Sequence, residues 1–354
     1  MAHVMPPEWY PHTRTWMGWP PLGGYIREYN GGSDVDAWAA TAAAIVEFEP
    51  VTMLVSPEQH EQARAALDPR VELVDAPLND AWLRDIGPGF VHDERGEVAA
   101  VDWVFNGWGH SSDAFDLDAQ IASTVAKQVG ASVIPSQLVN EGGGICVDGE
   151  GTVIVTETVQ LQDKRNPGWS KAQVEAELMR TLGVSRVIWL TRGLTGDMQQ
   201  FRPGVGTNGH VDVLAAFAEP GVVLVHAQSD PQHPDYEVMR ENVKRLTAGP
   251  DARGRELTLV PVEAPANHVV DGVPIDHSYI NFSFVNNGLV MSTYDDPIAD
   301  AHARETFAKL FPNLRIVGVD ARPIFRNGGG VHCITAHEPV SARKANQGGS
   351  HHAE

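Results

Sequence analysis

Short strands and helices alternate along the whole chain, and this alternation is the feature that most constrains the fold. Short apolar runs between turn residues predict strands, and apolar residues at helical spacing predict helices. The clearest strands are Val51–Val55, Thr152–Thr156 and Arg186–Leu190, and the clearest helix is Lys171–Leu182, with Ser170 as its N-cap. The sequence therefore predicts an α/β fold in which strand–helix units repeat every several tens of residues.

Two similar glycine-rich segments support this repetition. Residues 140–146 and 326–332 each place three consecutive glycines before an apolar residue. Glycine turns that recur before strands suggest repeated units around a centre. A GxGxxG turn after the first strand, typical of a dinucleotide-binding fold, is not found.

Three other segments have a less regular pattern. The first twenty residues, which contain Trp9, Trp16 and Trp19, are punctuated by prolines, and we expect a coil that packs on the core. Residues 331–335 alternate apolar and polar side chains and are predicted to form a strand or the entrance to one. The residues after Ala342 are polar, and we expect them to fray.

The charge balance limits the partners of the protein. The 354-residue chain carries 26 basic and 46 acidic side chains, which give a formal net charge of −20. Nucleic acids and anionic membranes bind basic surfaces, so neither is expected as the main partner. A cationic small substrate is compatible with this charge.

The cysteine content and the apolar runs predict a cytoplasmic protein. Cys146 and Cys333 are too few for a disulfide framework and suit a reducing compartment. No apolar run approaches the roughly 18 residues of a membrane helix, and residues 1–20 lack the apolar centre of a secretory signal. The glycosylation sequon at Asn281 therefore has no expected use.

Four polar sites interrupt apolar, strand-like surroundings. They are Arg84-Asp85, Glu141, His210-Val211-Asp212 and Cys333, each beside a glycine or a strand end. If residues 210–212 form a strand, His210 and Asp212 project from the same face. A cysteine beside a glycine-opened turn is a candidate nucleophile, although a buried structural cysteine is the alternative for any one such site. Together, the four sites predict a shared polar centre.

Such a centre could carry out nucleophilic catalysis on a guanidine. A cysteine, a histidine and a carboxylate match the nucleophile, base and orienting group of such enzymes. Two further carboxylates could hold a planar guanidinium by paired hydrogen bonds while a thiolate attacks its carbon. The competing interpretation is a zinc site, whose possible ligands are His210, Asp212, His332, His337 and Cys333. No HExxH or CxxC spacing supports that alternative, so no metal is predicted.

Taken together, these motifs resemble the agmatine deiminase family of guanidine-modifying enzymes, which includes bacterial peptidyl-arginine deiminases. The resemblance runs nearly end to end. In chain order it covers residues 5–9, 15–20, 79–90, 101–106, 141–143, 147–151, 209–212, 278–282 and 328–335. It implies a five-bladed α/β propeller with pseudo-fivefold ββαβ repeats and a central active site, and it needs neither cofactor nor metal. Residues 1–342 would form one catalytic domain and residues 343–354 a polar tail, and the family often assembles as homo-oligomers.

The resemblance also assigns roles position by position. Cys333 would be the nucleophile, Asp85 and Asp212 would clamp the guanidinium, and His210 would be the general acid and base, oriented by Glu141. Further substrate contacts are expected from Trp82, Arg84 and Gly330. Cys146, just beyond the Glu141 turn, is expected to be structural.

The expected reaction converts agmatine to N-carbamoylputrescine and ammonia. Alternatives are deimination of arginine in a peptide or a biosynthetic intermediate, amidino transfer to an amine, and a catalytically silent binding propeller. Three departures from the family pattern bear on the substrate tail: a longer loop at residues 197–208, Gly330 in place of a frequent asparagine, and Ala336-His337-Glu338 in place of a glutamine run.

Overall fold

The computed structural model describes residues 3–22, 34–110, 114–200, 204–266, 269–270 and 273–348. Its strands are β1 His12–Gly18, β2 Val51–Val55, β3 Glu72–Asp75, β4 Gly89–His92, β5 Val98–Val104, β6 Ser132–Val139, β7 Cys146–Val147, β8 Thr152–Thr156, β9 Arg186–Leu190, β10 Ala215–Glu219, β11 Val222–Ala227, β12 Thr258–Glu263, β13 Val269–Val270, β14 Val273–Pro274, β15 Ser283–Val285, β16 Gly288–Thr293, β17 Arg315–Asp320 and β18 Thr335–Pro339. Its α-helices are Val35–Ile45, His60–Ala66, Leu83–Ile86, Ile121–Val129, Glu157–Gln160, Lys171–Leu182, Asp235–Leu246, Pro297–Leu310, Arg322–Arg326 and Ala342–Gly348. None of these helices is long and apolar enough to cross a membrane.

The main sheets share one topology. Each begins with an antiparallel pair and continues with a parallel strand: β4-β5-β6, β7-β8-β9, β10-β11-β12, β15-β16-β17 and β18-β1-β2, the last extended by β3. A helix connects the two parallel strands, as Lys171–Leu182 does between β8 and β9. Each unit is therefore ββαβ, because parallel neighbours require a crossover connection.

The helix Lys171–Leu182 illustrates why the sequence pattern was informative. The Ser170 side chain accepts a hydrogen bond from the Gln173 backbone N–H, and the Gln173 side chain accepts one from the Ser170 backbone. This reciprocal capping is worth about 1 kcal/mol. The helix ends at Gly183, whose φ of 72° suits glycine. Its predicted bounds and N-cap are confirmed.

The first unit is closed by the two ends of the described chain. β18 pairs antiparallel with β1, and Trp16 lies opposite Ala336. The coil predicted for residues 12–18 is therefore wrong, because a strand partner more than 300 positions away supplies hydrogen bonds that local sequence does not reveal. Trp16 and Trp19 are each only 1% exposed, so the predicted packing on the core is confirmed.

Residues 331–335 form the entrance to a strand, the strand predicted at residues 210–212 is a turn, and the predicted frayed tail is partly helical. Residues 331–334 form a turn, and the strand begins only at Thr335, whose N–H donates to the His332 carbonyl. Val211–Val213 is a 3₁₀ turn, closed by a bond from the Leu214 N–H to the Val211 carbonyl. Ala342–Gly348 is helical, and the Ala342 N–H donates to the Gly96 carbonyl. At residues 211–213 and 342–348, a turn or a tertiary hydrogen bond overrides the local pattern.

Candidate active site

The predicted catalytic residues occupy equivalent places in successive units. Each lies two to five residues before the first strand of its unit: Asp85 before β4, Glu141 before β7, Asp212 before β10 and Cys333 before β18. Because the units repeat around a centre, these positions converge there. The remaining unit contributes Asn281, which precedes β15.

Gly143 marks the point at which the side chains meet. A Cβ built on Gly143 would lie 2.5 Å from His210 Nδ1 and 3.0 Å from both Asp212 Oδ2 and Asp85 Oδ1. Any side chain there would collide with all three groups, so the close approach requires glycine. The second glycine triplet acts similarly, since a Cβ on Gly329 would lie 2.9 Å from Cys333 Sγ.

The Cys333 thiol is held by an amide and a carboxylate. Asn281 Nδ2 donates to Cys333 Sγ at 3.2 Å, and Sγ lies 3.4 Å from Asp212 Oδ2. Burial, with Asp212 and Asp85 nearby, raises the pKa of the Cys333 thiol well above its usual value. Asn281 is fully buried, so its sequon cannot receive a glycan in the folded protein.

His210 is oriented by two carboxylates and is kept protonated by them. Its Nε2 lies 3.2 Å from Glu141 Oε2, and its Nδ1 lies 3.7 Å from Asp85 Oδ1. Burial alone would lower the pKa of His210, but Asp85, Glu141 and Asp212 outweigh burial and raise this pKa to about 9. The imidazolium can therefore donate a proton at neutral pH.

Glu141 is held in turn by Arg165, which no motif in the sequence indicated. Arg165 Nε donates to Glu141 Oε1 at 2.9 Å, and both side chains are fully buried. Burial would raise the pKa of Glu141, but Arg165 and His210 outweigh it and lower this pKa to about 2. Glu141 thus remains ionised and fixes the imidazole.

The two aspartates have different surroundings. Asp85 Oδ1 accepts from the Gly143 N–H at 3.0 Å, and Oδ2 accepts from Trp108 Nε1 at 2.9 Å. Burial raises the pKa of Asp85. Asp212 Oδ2 lies 2.9 Å from His332 Nδ1, and this contact outweighs burial and lowers the pKa of Asp212. Asp212 Oδ1 is buried with no hydrogen-bond partner among the described residues, which leaves it available to a bound cation.

The other predicted substrate contacts, Trp82, Arg84 and Gly330, have different surroundings. The Trp82 ring borders the thiol, since a Cβ on Gly329 would lie 2.8 Å from Trp82 Cζ3. Arg84 instead donates to Glu8 at 2.9 Å and to His337 at 3.3 Å, away from the cluster around Gly143. Gly330 packs against Asn281 and Phe325, so an asparagine would not fit there without a shift.

Asp197 explains how the long loop is attached to the site. Its carboxylate accepts from the backbone N–H groups of Thr207 at 2.6 Å, Gly209 at 2.7 Å and His210 at 3.1 Å, and from the Thr207 hydroxyl. The loop therefore leaves and returns at one buried carboxylate that also fixes the His210 backbone. Residues 201–203 of the predicted loop lie outside the described residues.

The candidate zinc ligands form other contacts. His332 lies between Asp212 and Glu8, while His337 Nδ1 accepts from Arg84 and Nε2 bonds to the Ser283 hydroxyl. In the described part of the chain, no three His, Cys, Asp or Glu side chains are arranged to hold a metal ion. Cys146 is a free, partly buried thiol that accepts from the Phe217 N–H.

Comparisons with known proteins agree with this arrangement. The sequence profile of the Porphyromonas-type peptidyl-arginine deiminase family matches residues 4–339. A Streptomyces avermitilis relative, provisionally named an agmatine deiminase, is 51% identical over 337 residues and covers 95% of this chain and 96% of its own. The agmatine deiminase of Ectopseudomonas mendocina is 39% identical and covers 95% of each chain. The structure of Enterococcus faecalis agmatine deiminase superposes with a TM-score of 0.88 at 33% identity, covering 96% and 97% of the two chains.

Five ββαβ units around a buried cysteine, histidine and carboxylate centre define a guanidine-modifying α/β propeller enzyme. The chain belongs to the Porphyromonas-type peptidyl-arginine deiminase family. The predicted family, the five-bladed propeller and the enzyme class, hydrolases that act on carbon–nitrogen bonds, are confirmed.

Proposed function

We propose that this protein hydrolyses agmatine to N-carbamoylputrescine and ammonia through a covalent intermediate on Cys333. The observation that carries the proposal is the buried Asp212 Oδ1, which has no hydrogen-bond partner in the described part of the chain and lies beside the thiol and the His210 imidazolium. A guanidinium would satisfy this oxygen and bring a positive charge into a centre that contains three carboxylates. The names of the relatives support agmatine as the bearer of that group.

The first half-reaction forms a carbon–sulfur bond and releases ammonia. Asp85 and Asp212 hold the guanidinium with its carbon next to Cys333 Sγ. The positive charge of the guanidinium lowers the pKa of the thiol, which then loses its proton to solvent. The thiolate attacks this carbon and gives a tetrahedral adduct. His210 then protonates the departing nitrogen, the carbon–nitrogen bond breaks, and an S-alkylthiouronium remains.

The second half-reaction restores the enzyme. His210, now neutral and still oriented by Glu141, removes a proton from a water molecule that attacks the thiouronium carbon. The carbon–sulfur bond breaks, the remaining hydroxyl proton of the adduct passes to the departing sulfur, and the ureido product leaves with the Cys333 thiol restored. Water supplies the oxygen of the product, and the reaction needs no cofactor or metal.

Trp82, Arg84 and Gly330 would act in different ways. Trp82 borders the thiol and could pack on the guanidinium plane. Arg84 and Gly330, which contact Glu8 and Asn281, would act indirectly by fixing the residues around the thiol.

The deciding test measures ammonia release from agmatine, free arginine and an arginine-containing peptide, with wild type and Cys333→Ala. We expect turnover of agmatine alone, abolished by the substitution. Turnover confined to arginine or the peptide would support the same mechanism with that compound, and not agmatine, as the substrate. Transfer of the amidino group to an added amine in place of water would identify an amidinotransferase. A thiol that neither releases ammonia nor reacts with a haloacetamidine would indicate a silent binding propeller.

The remaining predictions are proposals too. Residues 1–342 would suffice as one catalytic domain, which a chain ending at residue 342 would test by its activity and unfolding. The cytoplasm is the proposed compartment, supported by two free cysteines, and fractionation of cells would check it. A homo-oligomer is expected from the family resemblance, and light scattering would determine its size.

A further inference from the structure

A chain of charged side chains extends from the thiol to Glu8 and Arg84. Asp212 Oδ2, which lies beside Cys333 Sγ, is 2.9 Å from His332 Nδ1. His332 Nε2 lies 2.8 Å and 3.0 Å from the two oxygens of Glu8. Arg84 Nη1 donates to Glu8 Oε1 at 2.9 Å. Asp212, His332, Glu8 and Arg84 thus alternate in charge when His332 is protonated.

The contacts of His332 require its doubly protonated form. Both ring nitrogens face carboxylate oxygens, and ionised carboxylates only accept hydrogen bonds. A neutral imidazole could donate to only one of them. Burial and Arg84 lower the pKa of His332, but Glu8 and Asp212 outweigh them and raise it above the ordinary value. The contacts of the two ring nitrogens and the charges around them therefore both indicate a protonated His332.

The other groups that face this chain do not replace His332 as the cation beside Asp212. His337 accepts from Arg84 at Nδ1, and burial lowers its pKa well below the ordinary value, so His337 is neutral. The ionisable groups that face His332 and its two carboxylates, Asp212 and Glu8, are Cys333, His210, Asp85, Cys146, Arg84 and His337.

This chain of charged side chains ends at a cavity that is separate from the reacting groups. Glu8 has 30% of its side chain exposed, whereas His332 is 7% exposed. Glu8 and Arg84 line a cavity of about 70 Å³ together with Tyr10, His337 and Pro339. Its described lining residues include none of the predicted catalytic five. Glu8 can therefore be changed without altering any of the five predicted catalytic side chains.

We propose that Arg84, Glu8 and His332 form a bridge that fixes the orientation and the negative charge of Asp212, with His332 as a positioning residue for the reaction. The proposal rests on the proposed function. Because the imidazolium occupies Oδ2, Oδ1 of Asp212 remains free for the guanidinium. The same positive charge stabilises the Cys333 thiolate. Loss of the His332 proton would remove both effects.

Two substitutions separate the charge of the bridge from its hydrogen bonds. Glu8→Gln keeps an acceptor for His332 Nε2 but removes the charge that favours the imidazolium. His332→Asn keeps a donor toward Asp212 but removes the positive charge and the contact with Glu8. Glu72→Gln is the matched control, since Glu72 pairs with Arg14 on the surface, with 57% of its side chain exposed.

The first readout is kcat/KM for agmatine between pH 5.5 and 9.5. Glu8→Gln should match wild type near pH 6 and lose activity as pH rises, with the alkaline limb shifted down by about one pH unit. His332→Asn should lose about tenfold or more at every pH, mainly through KM. A role in stability alone would lower the melting temperature without moving the alkaline limb.

The second readout needs no substrate. Iodoacetamide alkylates the thiolate, and mass spectrometry identifies the labelled cysteine. His332→Asn should raise the pH of half-maximal Cys333 labelling by about one unit, and Glu72→Gln should leave it unchanged. This shift without turnover of any guanidine would support the bridge and overturn the proposed function.

Wild-type pH profiles and wild-type labelling in folded Glu8→Gln and His332→Asn would overturn the bridge. Turnover by wild type in that experiment would leave the proposed function intact. If His332→Asn does not fold, the alkaline shift of Glu8→Gln decides: its presence supports the bridge, and its absence overturns it.

Discussion

Arg165 Nε donates to Glu141 Oε1 at 2.9 Å, and neither side chain is exposed to solvent. Glu141 Oε2 lies against His210 Nε2, so one carboxylate joins a buried cation to the proposed acid and base. The orientation of His210 thus depends on a residue that does not reach the reacting atoms. We call Arg165 a positioning residue.

Arg165→Met is expected to lower both stability and activity. Removing one partner of a buried ion pair leaves the other charge unpaired, which costs about 3 to 5 kcal/mol. Urea unfolding measures this cost, and kcat measures the loss of orientation. In the double variant Arg165→Met/Glu141→Gln, part of the stability should return while kcat remains low. A double variant no more stable than Arg165→Met would contradict the assigned pair.

Gly143→Ala should remove activity with a modest effect on stability. The new Cβ would displace His210, Asp212 or Asp85, whereas the φ of Gly143 is not in the left-handed region. Gly130→Ala is the control, because Gly130 has a φ of 69° and open space around its Cβ. That control should cost about 1 kcal/mol of stability and leave kcat unchanged. Full activity in Gly143→Ala would refute the convergence of the three side chains.

Asp212→Asn should change deimination and thiol reactivity in opposite directions. Loss of a clamping charge should lower kcat/KM about 100-fold or more. Burial and then Asp212 raise the pKa of the Cys333 thiol, so removing the charge should lower this pKa and speed iodoacetamide labelling at pH 8. Asp75→Asn, at an exposed pair with His60, is the control for both assays. Slower labelling in Asp212→Asn would show that the carboxylate activates the thiol.

Besides the His332 proton, the alkaline limit of activity should report the pKa of His210, which is about 9. Because this pKa is raised above the usual value, the proton donor is fully present at neutral pH and is lost as pH rises through about 9. Glu141→Gln removes part of the negative charge around the imidazole and should move the alkaline limb of kcat/KM down by at least about one unit. An alkaline limb that stays in place in Glu141→Gln would assign the proton donor to another group.

Several elements were predictable because their signals are local. The helix Lys171–Leu182 has a capping box and a terminal glycine, and the strand Arg186–Leu190 is a short apolar run. β1 was missed because its partners, β2 and β18, are distant in sequence. Residues 210–212 were assigned to a strand from their alternation, yet they form a turn at the entrance to β10.

The polar motifs pointed to five site residues, and Asn281 could have been found by the same logic. It precedes the first strand of its unit, where the other units place Asp85, Glu141, Asp212 and Cys333. Its position before a strand was obscured because the glycosylation sequon offered another interpretation of Asn281. Arg165 and Trp108 had no such signal, since each acts through a single tertiary hydrogen bond.

By itself, the sequence determined the repeated α/β units, the family and the candidate reacting groups, because periodicity, glycine turns and motif order are properties of the linear chain. The tertiary structure alone decided the partners that set the charge and orientation of those groups. Arg165 meets Glu141 across 24 positions within one unit, and Glu8 meets His332 across 324 positions once the two ends of the chain come together. Electrostatic interactions depend on distance and burial in the folded protein, and neither quantity is written in the order of residues.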